Sequence, residues 1–96
     1  MTVIDAIQKA KDYAKDFFGE ESVGSFQLEE VLFDDSREVW EITLGYYVKD
    51  TRPFSGLAET MAHLQGEKRF ERKYKIFRIR DSDGVFLSMK IRETQK

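Results

Sequence analysis

The chain has 96 residues, too few for two domains that each bury a core, so we expect a single domain over residues 1–96. It contains no cysteine, which excludes a disulfide framework and thiolate metal sites, and no apolar run is long enough to span a membrane. Charged side chains are spread through the first 18 residues and leave no signal-peptide core. The sequence therefore predicts a soluble, cytoplasmic protein without a membrane partner.

The net charge of −2 conceals a division along the chain. Residues 1–47 carry 4 basic and 11 acidic side chains, whereas residues 48–96 carry 12 basic and 7 acidic ones. Two surfaces of opposite sign that face different partners are one interpretation. The other, which we favour, is that acidic early strands lie beside basic late strands in one sheet, where opposite charges stabilise each other.

The first element is predicted to be an amphipathic helix over residues 3–18. Thr2 is a suitable N-cap, Asp5 can complete a capping box with it, and Gly19 can end the helix. Apolar residues recur at three- and four-residue steps, which predicts one buried stripe. The stripe consists of Val3, Ile7, Ala10, Ala14 and Phe17, widened by Ile4, Tyr13 and Phe18. Its polar face mixes both signs of charge, which favours packing on a sheet over lying on a membrane.

Two strands follow the helix. Phe26 and Leu28 alternate with polar residues, and Val31 and Phe33 do so in the opposite parity, so we expect a β-bulge at residues 29–30. A turn at residues 34–37 leads into the strand with the clearest alternation. One face of that strand carries Trp40, Ile42, Leu44, Tyr46 and Val48, and the other carries Glu41, Thr43, Gly45 and Tyr47. We expect the first face to belong to the core, with Trp40 packed against the helix.

Residues 49–68 interrupt the pattern of strands as an insert. Pro53 excludes a central strand, and Ser55 is a suitable cap for a short helix that ends at Gly66. Such a helix would carry on one side Leu57, Met61 and Leu64. A mobile loop fits the same composition, and the sequence leaves the two interpretations open.

The last quarter of the chain predicts a β-hairpin. Two strand-like runs flank residues 81–84, and Gly84 can adopt the positive φ that closes a tight turn. A calcium loop that began at Asp81 would need a glutamate at its twelfth position, where Arg92 stands, so we favour a simple turn. The final strand is expected to have one dry face, formed by Val85, Leu87, Met89 and Ile91.

Together these elements predict an α+β fold with one N-terminal helix packed on a four-stranded antiparallel sheet, in the order α-β-β-insert-β-β. The face of the sheet away from the helix would be polar and aromatic. It would carry Glu41, Thr43, Tyr47, Phe86, Ser88, Lys90 and Arg92. We expect this face to be a binding or dimerisation surface.

The residues offer no basis for catalysis, a metal site or a cofactor. His63 is the only histidine, and the sequence has no cysteine nucleophile, no Gly-x-Ser-x-Gly and no phosphate loop. The acid pairs at residues 29–30 and 34–35 are typical of solvated turns. We therefore expect a non-enzymatic protein-binding or regulatory module, with inhibition or toxin neutralisation as one form, whose partner is another protein or a second copy.

Single-stranded nucleic acid is the alternative ligand. Residues 68–80 combine seven basic side chains with one acidic one, and aromatic rings that could stack on bases are interleaved among them. The opposite parity of Tyr74 and Phe77 and the pI of about 5.4 argue against this alternative. The candidate binding residues under the two interpretations are Tyr47, Arg69, Arg72, Tyr74, Phe86, Lys90 and Arg92.

The C-terminal hairpin resembles that of small bacterial PepSY-like and cystatin-like domains. From Tyr74 to Ile91 it has the pattern Tyr-Lys-Ile-Phe-Arg-Ile-Arg-x-x-x-Gly-Val-Phe-Leu-Ser-Met-Lys-Ile. The predicted order of helix and strands is also similar to theirs. This resemblance implies inhibitory or regulatory protein binding without catalysis. The chain has no Gln-x-Val-x-Gly loop of the kind with which cystatins block proteases, so we do not expect protease inhibition.

Overall fold

The structure, a computed structural model, describes residues 1–50, 56–64, 66 and 69–92. Its elements in chain order are α1 (Val3–Phe18), β1 (Ser22–Asp34), β2 (Val39–Lys49), α2 (Leu57–Leu64), β3 (Phe70–Arg80) and β4 (Phe86–Arg92). The strands form one antiparallel sheet in the order β1-β2-β3-β4, and α1 packs on it. The predicted α+β fold is confirmed. Within the described ranges, neither helix combines the length and apolar character needed to cross a bilayer.

The ends of α1 lie where the sequence predicts them. The hydroxyl of Thr2 accepts the N–H of Asp5 at 3.1 Å, and the Asp5 carboxylate accepts the N–H of Thr2 at 3.1 Å. This pair completes the capping box, and the bond from the Thr2 N–H holds the pKa of Asp5 below its usual value. At the other end Gly19 donates its N–H to the carbonyl of Lys15 at 2.9 Å.

Alanines, rather than the larger residues of the apolar stripe, form the line along which α1 contacts the sheet. The helix residues with no exposed surface are Ala6, Ala10 and Ala14. Val3, Ile4 and Phe17 were expected in the buried stripe but are 42%, 74% and 50% exposed. A helix touches a sheet along a narrow line, and small residues on that line allow close packing.

Aromatic side chains on the flanks of α1 fix its position. The Phe18 ring stacks on Tyr46 with centroids 5.9 Å apart, and the Tyr13 ring lies 5.3 Å from Phe86. The Tyr13 hydroxyl also donates to the carbonyl of Gly84 at 3.3 Å and accepts the N–H of Phe86 at 3.3 Å. These contacts tie α1 both to the centre of the sheet and to the final hairpin.

The core lies between α1 and the two central strands. β2 and β3 pair over 11 consecutive residues without a register shift. On the helix side they place five residues without exposed surface, which are Ile42, Leu44, Tyr46, Phe77 and Ile79. Tyr74 and Ile76 lie on the opposite side of β3 and are partly covered, so both faces of this strand contribute to packing.

β1 contains the bulge that its change of parity predicts. The pairing with β2 shifts between Leu28, opposite Leu44, and Glu30, opposite Thr43. A second irregularity lies between Val23 and Gln27. The bulge at residues 28–30 frees Glu29 from the regular register, so its side chain can reach across the face away from α1.

Trp40 lies on the predicted face of β2, but at the end of the sheet and only half-buried. Its ring packs against Phe33 with centroids 4.6 Å apart. The indole N–H donates to Oδ1 of Asp81 at 2.8 Å, and the same oxygen lies 3.7 Å from the N-terminal amine of Met1. A tryptophan needs a partner for its N–H, and that partner is in the β3–β4 turn rather than under the centre of α1.

The predicted hairpin is confirmed, but its second strand faces differently from the prediction. Gly84 has a φ of 71° and donates its N–H to the carbonyl of Arg80 at 2.8 Å. A register shift places Phe86 opposite Ile79, on the helix side, where its ring lies 5.1 Å from that of Phe17. The prediction that Phe86 lies on the surface away from α1 is therefore wrong, because the shift reverses its direction.

The predicted dry face of the final strand is correct only for Met89, which packs against the core, and wrong for the other three residues. β4 is an edge strand, so its outer residues have neighbours on one side only. The exposed apolar side chains here are Val85, Leu87 and Ile91, at 43%, 38% and 68%.

The insert contains the helix α2, so the helical interpretation is correct for residues 57–64. Leu57, Met61 and Leu64 are 77%, 47% and 74% exposed, so this apolar side is not part of the core. Gly66 follows with a φ of 88°. The predicted cap at Ser55 lies outside the described residues.

Ala10→Leu should destabilise the protein, because a larger side chain does not fit between α1 and the sheet. We expect the free energy of unfolding to fall by about 1–3 kcal/mol, measured by urea denaturation. Ala58→Leu makes the same change at an exposed position of α2 and should stay within about 0.5 kcal/mol of wild type. Equal effects of the two substitutions would contradict the alanine contact.

The free energy of unfolding should fall as the pH rises into the alkaline range, because Tyr46 resists ionisation in the folded protein. Burial, together with the hydrogen bond that its hydroxyl donates to Oε1 of Glu21 at 3.0 Å, raises the pKa of the phenol above its ordinary value. Above about pH 10 an unfolded tyrosine ionises while Tyr46 stays neutral, so stability falls by up to about 1.4 kcal/mol per pH unit. Tyr46→Phe removes this contribution.

Urea denaturation at several values between about pH 9 and pH 11 should therefore show a steeper loss for wild type than for Tyr46→Phe. The comparison with the variant cancels the titration of the lysines, which both proteins share. The same slope in both would show that the phenol of Tyr46 titrates normally.

Candidate binding surface

The face of the sheet away from α1, which we call the open face, carries the candidate functional residues. The register of β2 and β3 pairs its residues across the two strands. These pairs are Glu41 with Arg78, Thr43 with Ile76, Gly45 with Tyr74, and Tyr47 with Arg72. Toward the edges Lys90 lies opposite Ile76, and Arg92 lies opposite Tyr74. Acidic and basic residues therefore meet on the same surface.

Two salt bridges cross the open face. Arg78 and Glu41 are direct cross-strand neighbours, and Nε of Arg78 lies 3.4 Å from Oε1 of Glu41. Arg72 on β3 reaches over β2 to Glu29 of β1, and its Nη2 donates a hydrogen bond to Oε1 of Glu29. The acidic first half of the chain thus does lie beside the basic second half in one sheet, as we expected.

Gly45 makes the longer salt bridge possible. A Cβ at this position would lie 2.8 Å from Oε1 of Glu29, closer than real side chains come. Without a Cβ, β2 leaves a shallow trough in which the side chains of Arg72 and Glu29 meet. A glycine in a strand often marks such a close approach. Gly45 and Glu29 are not among the site residues predicted from the sequence. The available signals were the glycine inside a strand for Gly45 and the predicted bulge for Glu29.

A ladder of alternating tyrosine and arginine side chains runs along the open face. The guanidinium carbon of Arg72 lies 4.7 Å from the centroid of the Tyr47 ring and 5.6 Å from that of Tyr74. That of Arg92 lies 5.5 Å from the Tyr74 ring. Distances below about 6 Å give attractive cation–π contacts. We call the four residues Tyr47, Arg72, Tyr74 and Arg92 the Tyr–Arg ladder.

Arg72 is the fixed point of the ladder. Partial burial alone would lower the pKa of its guanidinium, but the interactions with Glu29, Tyr74 and Tyr47 together outweigh this and raise the pKa, so the group stays charged. Its side chain is only 18% exposed. A charged group held by a carboxylate and two rings has lost most of its rotamer freedom before any partner binds.

The structure brings together four of the seven predicted binding residues, those of the Tyr–Arg ladder, and places a fifth, Lys90, on the same face. Phe86 packs under α1 instead. Arg69 precedes β3, where its carbonyl accepts the N–H of Asp50 at 3.1 Å. The surface is therefore centred on β3 and on its neighbours in β2 and β4.

The basic strand predicted as a nucleic-acid site divides its residues between two faces. Lys75 and Phe77 lie on the helix side and are 7% and 0% exposed. Burial lowers the pKa of Lys75, whose Nζ lies 5.0 Å from the centroid of the Phe18 ring. These groups are consequently not available to a ligand on the open face.

Two polar atoms on the open face are buried without a hydrogen-bond partner in the part of the chain that the structure describes. They are Nε of Arg78 and Oγ of Ser88, which belong to directly paired residues of β3 and β4. Buried polar atoms normally find partners. Nε of Arg78 is compensated by its ion pair with Glu41 at 3.4 Å, although the geometry is not that of a hydrogen bond.

No protein-family model, curated protein or solved structure matches this chain. Among the described residues, no group of three or more histidine, aspartate or glutamate side chains is placed to hold a metal ion. The geometry of the open face is therefore the guide to the function of this protein.

The salt bridge between Arg72 and Glu29 should be measurable as a coupling energy. In a double-mutant cycle with Arg72→Gln and Glu29→Gln, we expect the two residues to stabilise the fold jointly by about 1 kcal/mol, because both are partly buried and held by the ladder. Urea denaturation of the four proteins provides the value.

The pair Arg80 and Asp83 is the matched control. It also joins an arginine to a carboxylate, that of an aspartate, at 3.1 Å, but both side chains are nearly half exposed, at 47% and 44%. Its coupling should stay below about 0.5 kcal/mol. If the control pair coupled as strongly as Arg72 and Glu29, the ladder would not hold the side chain of Arg72 in a fixed conformation.

Proposed function

We propose that this protein is a non-enzymatic protein-binding or regulatory module and that the open face is its contact surface. The observation that carries the proposal is the Tyr–Arg ladder. Tyrosine and arginine dominate the residues that contribute most to protein–protein affinity. They combine a large rigid apolar surface with hydrogen-bonding groups, which a polar protein surface can match.

The conformational rigidity of the ladder supports the same conclusion. Binding costs free energy for every flexible side chain that must be fixed at an interface, typically about 0.5–1.5 kcal/mol each. Arg72 is already held by Glu29 and by the rings of Tyr47 and Tyr74. A partner therefore meets a surface that needs little rearrangement.

The proposal includes a cytoplasmic setting and an inhibitory or toxin-neutralising role as one form of regulation. The absence of cysteine suits a reducing compartment. The resemblance of the hairpin and of the order of elements to PepSY-like and cystatin-like domains supports regulation by protein contact. A sequence with one histidine and no cysteine offers few nucleophile–base pairs for catalysis.

Single-stranded nucleic acid remains the second candidate, because Tyr47 and Tyr74 share the open face with arginines. Stacking on such rings, with cations along the backbone, is the usual way to bind single strands. Against it, Arg72 is paired with Glu29 and Arg78 with Glu41. The positive charge of these two central arginines is thus cancelled where phosphates would lie.

Photo-cross-linking from the open face tests the proposal in the native host. A benzoylphenylalanine replacing Tyr47, which is 44% exposed, should form discrete adducts with a protein on irradiation. The same probe replacing Asp16, an exposed residue of α1, is the control and should form none. No adduct from position 47, or equal labelling from both positions, would overturn the proposed contact surface.

Binding of a fluorescent oligo-dT, followed by anisotropy, separates the two candidates. We expect a Kd no tighter than the nonspecific range of about 10⁻⁴–10⁻⁶ M at physiological salt, because few unpaired cations face the ligand. Submicromolar binding that is lost in Arg72→Glu or Tyr74→Ala would replace the protein-binding proposal with the nucleic-acid one.

A further inference from the structure

The open face is complementary to itself, and we propose that its partner is a second copy of this chain, bound face to face in a two-fold symmetric homodimer. This inference rests on the proposed function, since it takes the open face as a protein-contact surface and names the protein that covers it. The register of the four strands makes the face self-complementary.

The register divides the open face into transverse rows with one residue from each strand. From β1 to β4, the central row consists of Glu30, Thr43, Ile76 and Lys90. The flanking rows consist of Leu32, Glu41, Arg78 and Ser88 on one side, and of Gln27, Gly45, Tyr74 and Arg92 on the other. The two acidic residues of these rows, Glu30 and Glu41, lie on β1 and β2, whereas the basic residues Arg78, Lys90 and Arg92 lie on β3 and β4.

A two-fold axis parallel to the strands and between β2 and β3 reverses every row. β1 of one copy then lies opposite β4 of the other, and β2 lies opposite β3. Glu30 of one copy therefore lies opposite Lys90 of the second copy, and the uncharged Gln27 lies opposite Arg92 of the second copy. Two-fold symmetry is the most common arrangement of homo-oligomers and requires a self-complementary surface of this kind. The strands of the two sheets stay nearly aligned, as in β-sandwiches.

The pairs that meet at the centre of this arrangement repeat contacts that already exist within the sheet. Glu41 of one copy faces Arg78 of the second copy, and Tyr47 faces Arg72 of the second copy. Within one chain the same pairs form a salt bridge and a cation–π contact. Each group thus meets its preferred type of partner a second time, and no like charges are opposed.

Glu30 and Lys90 give the strongest support for the homodimer. Both are exposed, and neither has an ion-pair partner in the part of the chain that the structure describes. They lie on the two edge strands, about 14 Å apart at a strand spacing of about 4.8 Å, too far to pair within one sheet. In the dimer, Glu30 of each copy lies opposite Lys90 of the other copy, so this pair forms twice.

The size of the open face also suits a stable dimer. Four strands, of which the central two are 11 residues long, cover roughly 700 Å² at the usual strand spacing and rise. Stable interfaces bury about 800 Å² per partner. A partner with one sign of charge would match half of this area and be repelled by the other half. A second copy matches both halves.

The state of association of the purified protein is the first measurement. Sedimentation equilibrium at physiological salt should give twice the 11.3 kDa mass of the chain. Glu30→Lys places the introduced lysine opposite Lys90 of the second copy, and Lys90→Glu opposes two glutamates. Each single substitution should weaken dimerisation by about tenfold or more. Circular dichroism and urea denaturation establish that both variants remain folded.

Mixing the two variants provides the decisive comparison. In a heterodimer the introduced lysine faces the introduced glutamate, and the unchanged Lys90 and Glu30 face each other. An equimolar mixture should therefore dimerise with an affinity close to that of wild type, although neither variant does so alone. Asp16→Lys makes the same charge change on the outer surface of α1 and should leave wild-type dimerisation unaltered.

Three outcomes would overturn the homodimer: a monomeric wild type at about 100 µM, a dimer that is insensitive to both single substitutions, or a mixture that fails to restore association. If the wild type is monomeric while the cross-link from position 47 joins a different protein, the homodimer is wrong and the proposed contact surface stands. If position 47 forms no cross-link at all, the contact surface fails together with the homodimer.

Discussion

The uninterrupted pairing of β2 with β3 is the constraint on which the rest of the structure depends. Eleven consecutive residue pairs hold one register from end to end. Because side chains alternate along a strand, that register sends Ile42 and Phe77 to one face and Glu41 and Arg78 to the other. A slip of one residue in either strand would bury the arginines under α1 and expose the core.

The two faces meet different physical requirements on the same pair of strands. On the helix side, small alanines let α1 approach, and the aromatic flanks of α1 fix where it lies. On the open face, long side chains lie across one another, so that Thr43 is only 2% exposed although neither described helix packs on this face. The trough at Gly45 and the bulge that frees Glu29 are what allow Arg72 to lie flat. The fixed conformation of Arg72 on the open face therefore depends on the bulge in β1 and on the glycine in β2.

Local signals in the sequence predicted much of this fold, and non-local packing accounts for the errors. The capping box at Thr2, the change of parity at residues 28–30 and the turn at Gly84 depend on residues close in sequence, and all three are correct. The direction of Phe86 depends on a register shift against β3 that leaves no mark in β4 itself. On the open face, parity alone indicated Tyr47, Lys90 and Arg92. The contact of Arg72 with Glu29 joins β1 to β3 across an intervening strand, and no spacing along the chain predicts it.

Cross-strand distances from NMR test the central claim most directly. In an antiparallel pair, every second pair of opposite residues brings its two Hα atoms close together, with Cα atoms about 4.5 Å apart. The register of β2 and β3 predicts strong Hα–Hα contacts in one of two alternating sets, which begin either with Gly45 and Tyr74 or with Leu44 and Lys75. Contacts that join Gly45 to Lys73 or to Lys75 instead would show a register slipped by one residue. That result would contradict the division of the sheet into a core face and a binding face.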